Sequence, residues 1–193
     1  MPYKLYGLGV LAFFLGSIPF SLIVTKIKGV DLRSIGSGNL GATNVYRALG
    51  FKYAFGVFFL DALKGYIPVH LILSVSDQPI LHVVIGFIAV LGHSLSPFVG
   101  FKGGKGAATG LGVLCGLSPH VFGIVFVIAA ISIYLTRMVA PTSMACSILV
   151  PILLKVFNYP TPYIAVTALL AVFIIYRHRS NIKRLIEGKE NKV

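Results

Sequence analysis

The sequence predicts an all-α integral membrane protein with seven transmembrane segments, on three observations. Of its 193 residues 56% are hydrophobic and 11% charged, with a mean hydropathy of +0.90, far from the composition of soluble domains. The apolar residues fall into blocks near the roughly 20 residues that cross a bilayer. The cations gather in particular gaps between those blocks, as Lys and Arg do in cytoplasmic loops.

Leu5 to Thr25 is the first block. It is uncharged, too long for the apolar core of a signal peptide, and followed by no A-x-A-type cleavage site, so it is expected to be retained as a helix. Tyr53 to Val75 and Pro79 to Gly100 are the second and third, and Met138 to Leu154 and Pro160 to Tyr176 the last two. Between them, Gly106 to Thr136 is 31 residues without a formal charge, about 46 Å of helix and too long for one crossing. Leu117-Ser118-Pro119 breaks it, because the residue before a proline is pushed out of helical geometry. A very short fourth segment and a normal fifth result.

Charge tests that division. With two crossings in this stretch, Lys26, Lys28, Arg33, Arg47, Lys52, Lys102, Lys105, Arg137 and the six cations of the tail share one side, 14 of the 17 in the chain. A single crossing would set the tail against the first two basic loops. The expected orientation is therefore N-terminus outside and C-terminus cytoplasmic. A re-entrant pair in place of segments four and five keeps the same parity and stays open. No internal repeat or linker interrupts residues 1–193, which read as one polytopic domain with a cytoplasmic tail over 177–193. Cys115 and Cys146 lie in apolar stretches and read as buried thiols, with no metal pair or disulfide framework.

GSGNLGATN, residues 36 to 44, fits G-x-G-x-x-G through Gly36, Gly38 and Gly41. A dinucleotide fold needs a strand before that turn and an acid about 20 residues on within one βαβ unit. Here a membrane helix precedes it and Asp61 lies inside the second span, so the match is coincidental. GFKGGKGAAT, residues 100 to 109, fails as a P-loop: its spacing is one residue short and Gly106 follows Lys105 where Ser or Thr is required. Both loops nevertheless suit an anion. Glycines let backbone N–H groups turn inward, Ser37, Asn39, Thr43 and Asn44 add neutral polar groups, and a helix starting near Asn44 and Arg47 would aim its positive end at phosphate. Tight turns and topology-setting cations would explain either loop alone; their convergence on one side with the tail favours a site. In the tail, His178, Asn181 and Arg184 or Leu185 share one side of a continuing helix, which a plain electrostatic anchor would not need.

Together GSGNLGATNVYR (36–47), GFKGGKGAAT (100–109) and RHRSNIKRLIEG (177–188) resemble the three cytoplasmic motifs of the PlsY family, bacterial integral-membrane acyltransferases. The resemblance covers the whole chain and implies transfer of a fatty acyl group from acyl phosphate to glycerol 3-phosphate. The products would be 1-acyl-glycerol 3-phosphate and phosphate, made at the cytoplasmic face of the bacterial inner membrane. No cofactor or metal, no coenzyme A, no nucleic acid and no obligate protein partner is implied. Two phosphate-bearing substrates account for two anion-binding loops, and a lipid tail for a groove into the membrane.

On that reading Arg47 and Lys105 hold phosphate charge, helped by Arg184, while Ser37, Asn39, Thr43, Asn44 and the amides of Gly38, Gly103 and Gly104 cradle oxygens. His178 either accepts the glycerol hydroxyl proton or holds a phosphate that does so itself. Asn181 and Ser143 donate to the oxyanion or orient the nucleophile, Ser143 being raised by the resemblance rather than by spacing. Asp61 and Lys64 are expected to pair on one helix face, at a depth away from the motifs that favours a structural ion pair. His93 is expected to line the pocket, His70 and His82 to be packed or interfacial, and Asp31 and Arg33 to brace the first loop. Two rivals remain at this level: a transporter of a phosphorylated metabolite, disfavoured by the missing repeat, and an accessory subunit with a cationic docking face.

Overall fold

The computed structural model describes residues 2–193 as ten α-helices and two short 3-10 turns. The first apolar block forms α1 (Pro2–Ser17) and α2 (Phe20–Ile27), which together supply the 23-residue span Leu5–Ile27. Pro19 lacks an N–H and interrupts the ladder between them. A loop carrying the turn Leu32–Ser34 leads to α3 (Ala42–Leu49), and Gly50, in the left-handed region at φ 81°, turns the chain into α4 (Phe51–Leu73). α5 (Pro79–Ser94) and the turn Pro97–Val99 follow. Next come α6 (Ala107–Leu117), α7 (Pro119–Thr136), α8 (Val139–Val156), α9 (Thr161–Arg177) and α10 (Arg179–Ile186).

The long apolar stretch divides where proline chemistry requires. Ser118 caps α7 by accepting from the Val121 amide at 3.3 Å, and α7 starts at Pro119, where the missing N–H costs nothing. α7 has 18 residues and is long enough to cross, whereas the 11 residues of α6 rise only about 16 Å. Among the described residues five helices can cross a membrane by length and composition, or six if α9 and α10 count as one bent span. The tail does not simply continue α9: the two helices meet at 59°. The His178 ring nitrogen Nδ1 lies 2.8 Å from the Ile174 carbonyl, and a side chain entering the i−4 ladder is a sufficient cause of a kink.

Small residues allow close helix contact. A Cβ on Gly16 or Gly92 would stand 2.2 Å from a backbone oxygen of the facing helix in the α1–α5 pair, and one on Gly65 or Gly112 within 2.2 or 1.8 Å in the α4–α6 pair. Such contacts are how membrane helices gain packing without a hydrophobic driving force. The main core joins Val69, Val90, Val113, Leu114, Val125, Leu154 and Leu170, from α4 through α9, while Ile128, Ile131, Leu135, Ile152, Leu169 and Val172 face outward. An outer surface this apolar belongs in lipid.

Candidate active site

The two glycine-rich loops and α10 meet around one cavity of about 210 Å³. Its polar end is lined by Ser37, Asn39, Thr43, Asn44, Arg47, Lys105, Ser143, His178, Asn181 and Arg184. It then runs between helices, past Leu111, Leu114, Val125, Ala129, Val150 and Leu170.

The first loop is built around Asn44, which is 1% exposed. Its Nδ2 donates to the carbonyls of Leu32 and Ile35, at 3.0 and 2.9 Å, and its Oδ1 accepts from the Ser37 amide at 3.2 Å. Asn44 therefore shapes the loop with its own side chain. Asp31 and Arg33 brace the same loop as expected, through the Asp31 carboxylate on the Arg33 amide and the Arg33 guanidinium on the Val99 carbonyl. Gly41, Ala42 and Thr43, at the start of α3, and Gly106, Ala107 and Ala108, at the start of α6, all line the cavity. Two helix N-termini thus open onto it, with the unpaired N–H groups and positive dipole ends that favour anions. Sequence reasoning had the α3 terminus and missed that of α6, whose signal was the flexible Gly106 before an apolar helix.

Gly38, Gly103 and Gly104 stand behind the cavity wall rather than on it. The Gly38 amide donates to the Ile35 carbonyl at 3.0 Å and the Gly103 amide to that of Ser94 at 3.1 Å. The glycines serve close approach instead: a Cβ would come within 2.0 Å of the His93 carbonyl at Gly103 and 2.1 Å of His93 Nε2 at Gly104. The Arg177 guanidinium donates to the carbonyls of Gly103 and Gly104, at 3.0 and 3.1 Å. In the sequence Arg177 was only one cation of the tail.

Lys105 Nζ donates to Asn181 Oδ1, which joins the second motif to the third. The Asn181 amide nitrogen donates in turn to Glu190 at 2.8 Å, and Arg184 Nε donates to the same carboxylate at 3.2 Å. These contacts fix which way the Asn181 amide points. Glu190 had no place in the sequence reading. It lies beyond the short helix, and only the fold returns it to the cavity, where it counters the charge of Arg184. The Arg184 Nη2 nitrogen is buried with no hydrogen-bond partner among the described residues, which marks a place for an acceptor. Ser143, one turn into α8, donates its hydroxyl to the Val139 carbonyl at 2.9 Å.

Burial, reinforced by the Arg184 charge, lowers the Lys105 ammonium to about 8. His178, just past the end of α9, is lowered to about 4, chiefly by burial and further by Lys105. The Arg47 guanidinium is also lowered by burial, and an arginine stays charged regardless. Because a carbonyl can only accept, the Nδ1 contact with Ile174 puts the His178 proton on Nδ1 and leaves a lone pair on Nε2.

Other expectations divide. His82 is packed, its Nδ1 2.8 Å from the Tyr163 hydroxyl, and His70 stacks on Tyr66. Asp61 and Lys64 do pair, at 2.7 Å. His93 lines the cavity as expected, and Asp61, against its expected depth, lines it too, because α4 and α5 bring these residues close to the second loop.

Fold and cavity define a class, the helical integral membrane proteins with a cavity that is cationic at one end and apolar between the helices. Residues 6–188 match the family model described as glycerol-3-phosphate acyltransferase. The chain is 44% identical over 192 residues to the glycerol-3-phosphate acyltransferase of Aquifex aeolicus, covering 98% of this chain and 99% of that one. It is 44% identical over 187 residues to that of Bacillus subtilis, covering 95% of each. The crystal structure of PlsY, an integral membrane glycerol 3-phosphate acyltransferase, in its glycerol 3-phosphate form superposes with a TM-score of 0.95 at 42% identity, covering 98% of this chain and 96% of that one. Its lysophosphatidic acid form gives 0.92, covering 98% and 95%. The chain belongs to the glycerol-3-phosphate acyltransferase family of PlsY.

Proposed function

We propose that this membrane acyltransferase of phospholipid synthesis moves a fatty acyl group from acyl phosphate to a hydroxyl of glycerol 3-phosphate. Family membership supports the acyl transfer and the glycerol 3-phosphate acceptor. The observation that carries the rest is one cavity whose cationic end continues into an apolar groove. An acyl phosphate has that shape, with charge at one end and hydrocarbon at the other.

The hydroxyl oxygen attacks the acyl carbonyl carbon, a tetrahedral intermediate forms, and the C–O bond to phosphate breaks. Acyl phosphate is a mixed anhydride, so no covalent enzyme intermediate is needed. Arg47, Lys105, Arg184 and the starts of α3 and α6 hold the phosphate groups, and Ser37, Asn39 and Thr43 complete that wall. Asn44, Gly38, Gly103 and Gly104 set the two loops that carry these groups. His178, neutral at physiological pH with its Nε2 lone pair free, accepts the hydroxyl proton or passes that role to a bound phosphate; in either case the proton leaves on inorganic phosphate. Ser143, whose hydrogen is given to Val139, accepts a hydrogen bond from the attacking hydroxyl and orients it. Asn181 has one amide hydrogen left for the oxyanion.

Seven crossings, with α6 as the short fourth, put the N-terminus outside and the motifs with the tail in the cytoplasm of a bacterial inner membrane; the grouping of the cations supports this. Residues 1–193 act as a single domain without an obligate protein partner. Purified protein incubated with acyl phosphate and glycerol 3-phosphate should release phosphate and lysophosphatidate in equal amounts. An intact preparation that forms lysophosphatidate only from an acyl thioester would overturn the donor assignment.

A further inference from the structure

One buried cluster of ionisable side chains has no part in this chemistry: Asp61 and Lys64 on α4, each 2% exposed, and His93 on α5, 7% exposed. Charges inside a membrane helix are costly to keep, and a purely structural ion pair can often be replaced by apolar packing without loss. The geometry of this cluster leads somewhere. Lys64 Nζ lies 2.7 Å from Asp61 Oδ1 and donates to the Ile18 carbonyl at 2.9 Å, in the break between α1 and α2. The same Asp61 oxygen is 3.8 Å from His93 Nδ1. The other ring nitrogen of His93 faces Gly104, with space for hydrogen but not for a methyl group. Asp61 and His93 also form a partition, since both line the main cavity and, on the side of Ser17, Ser96, Gly103 and Gly104, a second one of about 10 Å³.

A Gly-Gly turn has no side chain with which to hold itself and the widest backbone freedom of any dipeptide. Here it is held from outside, with His93 lying against it and the Arg177 guanidinium donating to both of its carbonyls. Lys105 is the next residue. Its ammonium must meet a phosphate in one place, and a misplacement of about 1 Å in such a group costs on the order of 100-fold in rate.

We propose that Asp61 and His93 are positioning residues: anchored through Lys64 to the α1–α2 break, they set the Gly103–Gly104 turn and through it the placement of the Lys105 ammonium on substrate phosphate. The inference rests on the reading of Lys105 as a phosphate holder. It gives the two glycines a reason beyond flexibility: Gly103 leaves room for the His93 carbonyl and Gly104 for the His93 imidazole. His93 is faced by Asp61 and Lys64 from α4 and by Arg177 from the end of α9. Lys105 is faced by Arg47, Arg177, His178, Arg184 and Glu190.

The test is steady-state kinetics of purified H93A, H93Q and K105R beside the wild type, with acyl phosphate and glycerol 3-phosphate varied in turn from pH 6 to 9.5. H93A should raise the KM of a phosphate substrate about tenfold or more, with a smaller loss in kcat. It should also move the alkaline limb of kcat/KM, set by Lys105, by at least about half a unit. H93Q, whose amide reaches the position of Nε2, should restore KM to within about threefold. A residue that only packs would lower the melting temperature and move neither KM nor the limb. Wild-type KM and limb in H93A overturn the proposal, as does an H93Q as impaired as H93A. Failure of both variants to give monodisperse protein assigns His93 to folding and overturns it too. An active wild type beside a K105R variant with unchanged KM and limb would instead sink the reading of Lys105.

Discussion

His178 is a residue whose chemistry is set by one neighbour. The Ile174 carbonyl, 2.8 Å from Nδ1, fixes the tautomer, and burial keeps the ring unprotonated at neutral pH. H178A should lower kcat by roughly 10²- to 10⁴-fold, the range for losing a general base, with circular dichroism and elution in detergent unchanged. A loss below tenfold would leave a substrate phosphate as the proton acceptor. Lys105 gives a second expectation. With its pKa lowered to about 8, it loses charge as pH rises through that value, so kcat/KM should fall on the alkaline side. K105R, charged throughout, should remove that limb at some cost in rate. The Arg184 Nη2 nitrogen is buried with no acceptor among the described residues, and a charge-assisted hydrogen bond is worth about 1.5–3 kcal/mol. R184A should therefore raise the KM for a phosphate substrate by about tenfold or more, read from initial rates.

Elements place these groups. α3 and α6 present their N-termini to one cavity although more than fifty residues separate them, and this depends on α6 packing closely on α4. Gly112 faces the Ala62 carbonyl with no room for a Cβ. G112V should separate the two helices, cost at least about 1–3 kcal/mol as overpacking does, and appear as a lower melting temperature in detergent together with weaker substrate binding. A melting curve unchanged within error would show that α4 and α6 need no such contact.

For the whole molecule, the cavity joins a polar end to an apolar one. Its apolar part lies between α6, α7, α8 and α9, and Val150 on α8 is one of its walls. V150F should narrow the groove and shift kcat/KM toward shorter acyl phosphates, with little change for glycerol 3-phosphate. A chain-length series would show this as crossing curves, and an unchanged profile would place the acyl chain elsewhere.

Much of the molecule was legible from the chain itself, because membrane helices follow from the length and hydropathy of contiguous stretches. The break at Ser118-Pro119, the convergence of the two loops with the tail, and the candidates Arg47, Lys105, His178 and Asn181 are local or charge-based signals. Tertiary structure decided what each group touches. Asn44 turned out to fasten its own loop; Gly38 and Gly103 had their amides spent on backbone carbonyls; Glu190 returned from beyond α10; and Asp61 came to lie close to the second loop. None of this is written in spacing, since it depends on which carbonyl or ring a helix crossing brings within about 3 Å of a side chain. The sequence determined by itself which stretches are apolar enough for a membrane and which residues carry groups suited to a phosphate. Helix packing decided which of them line the cavity and which only hold the others in place, because hydrogen bonds and close contacts act over distances much shorter than any periodicity resolves.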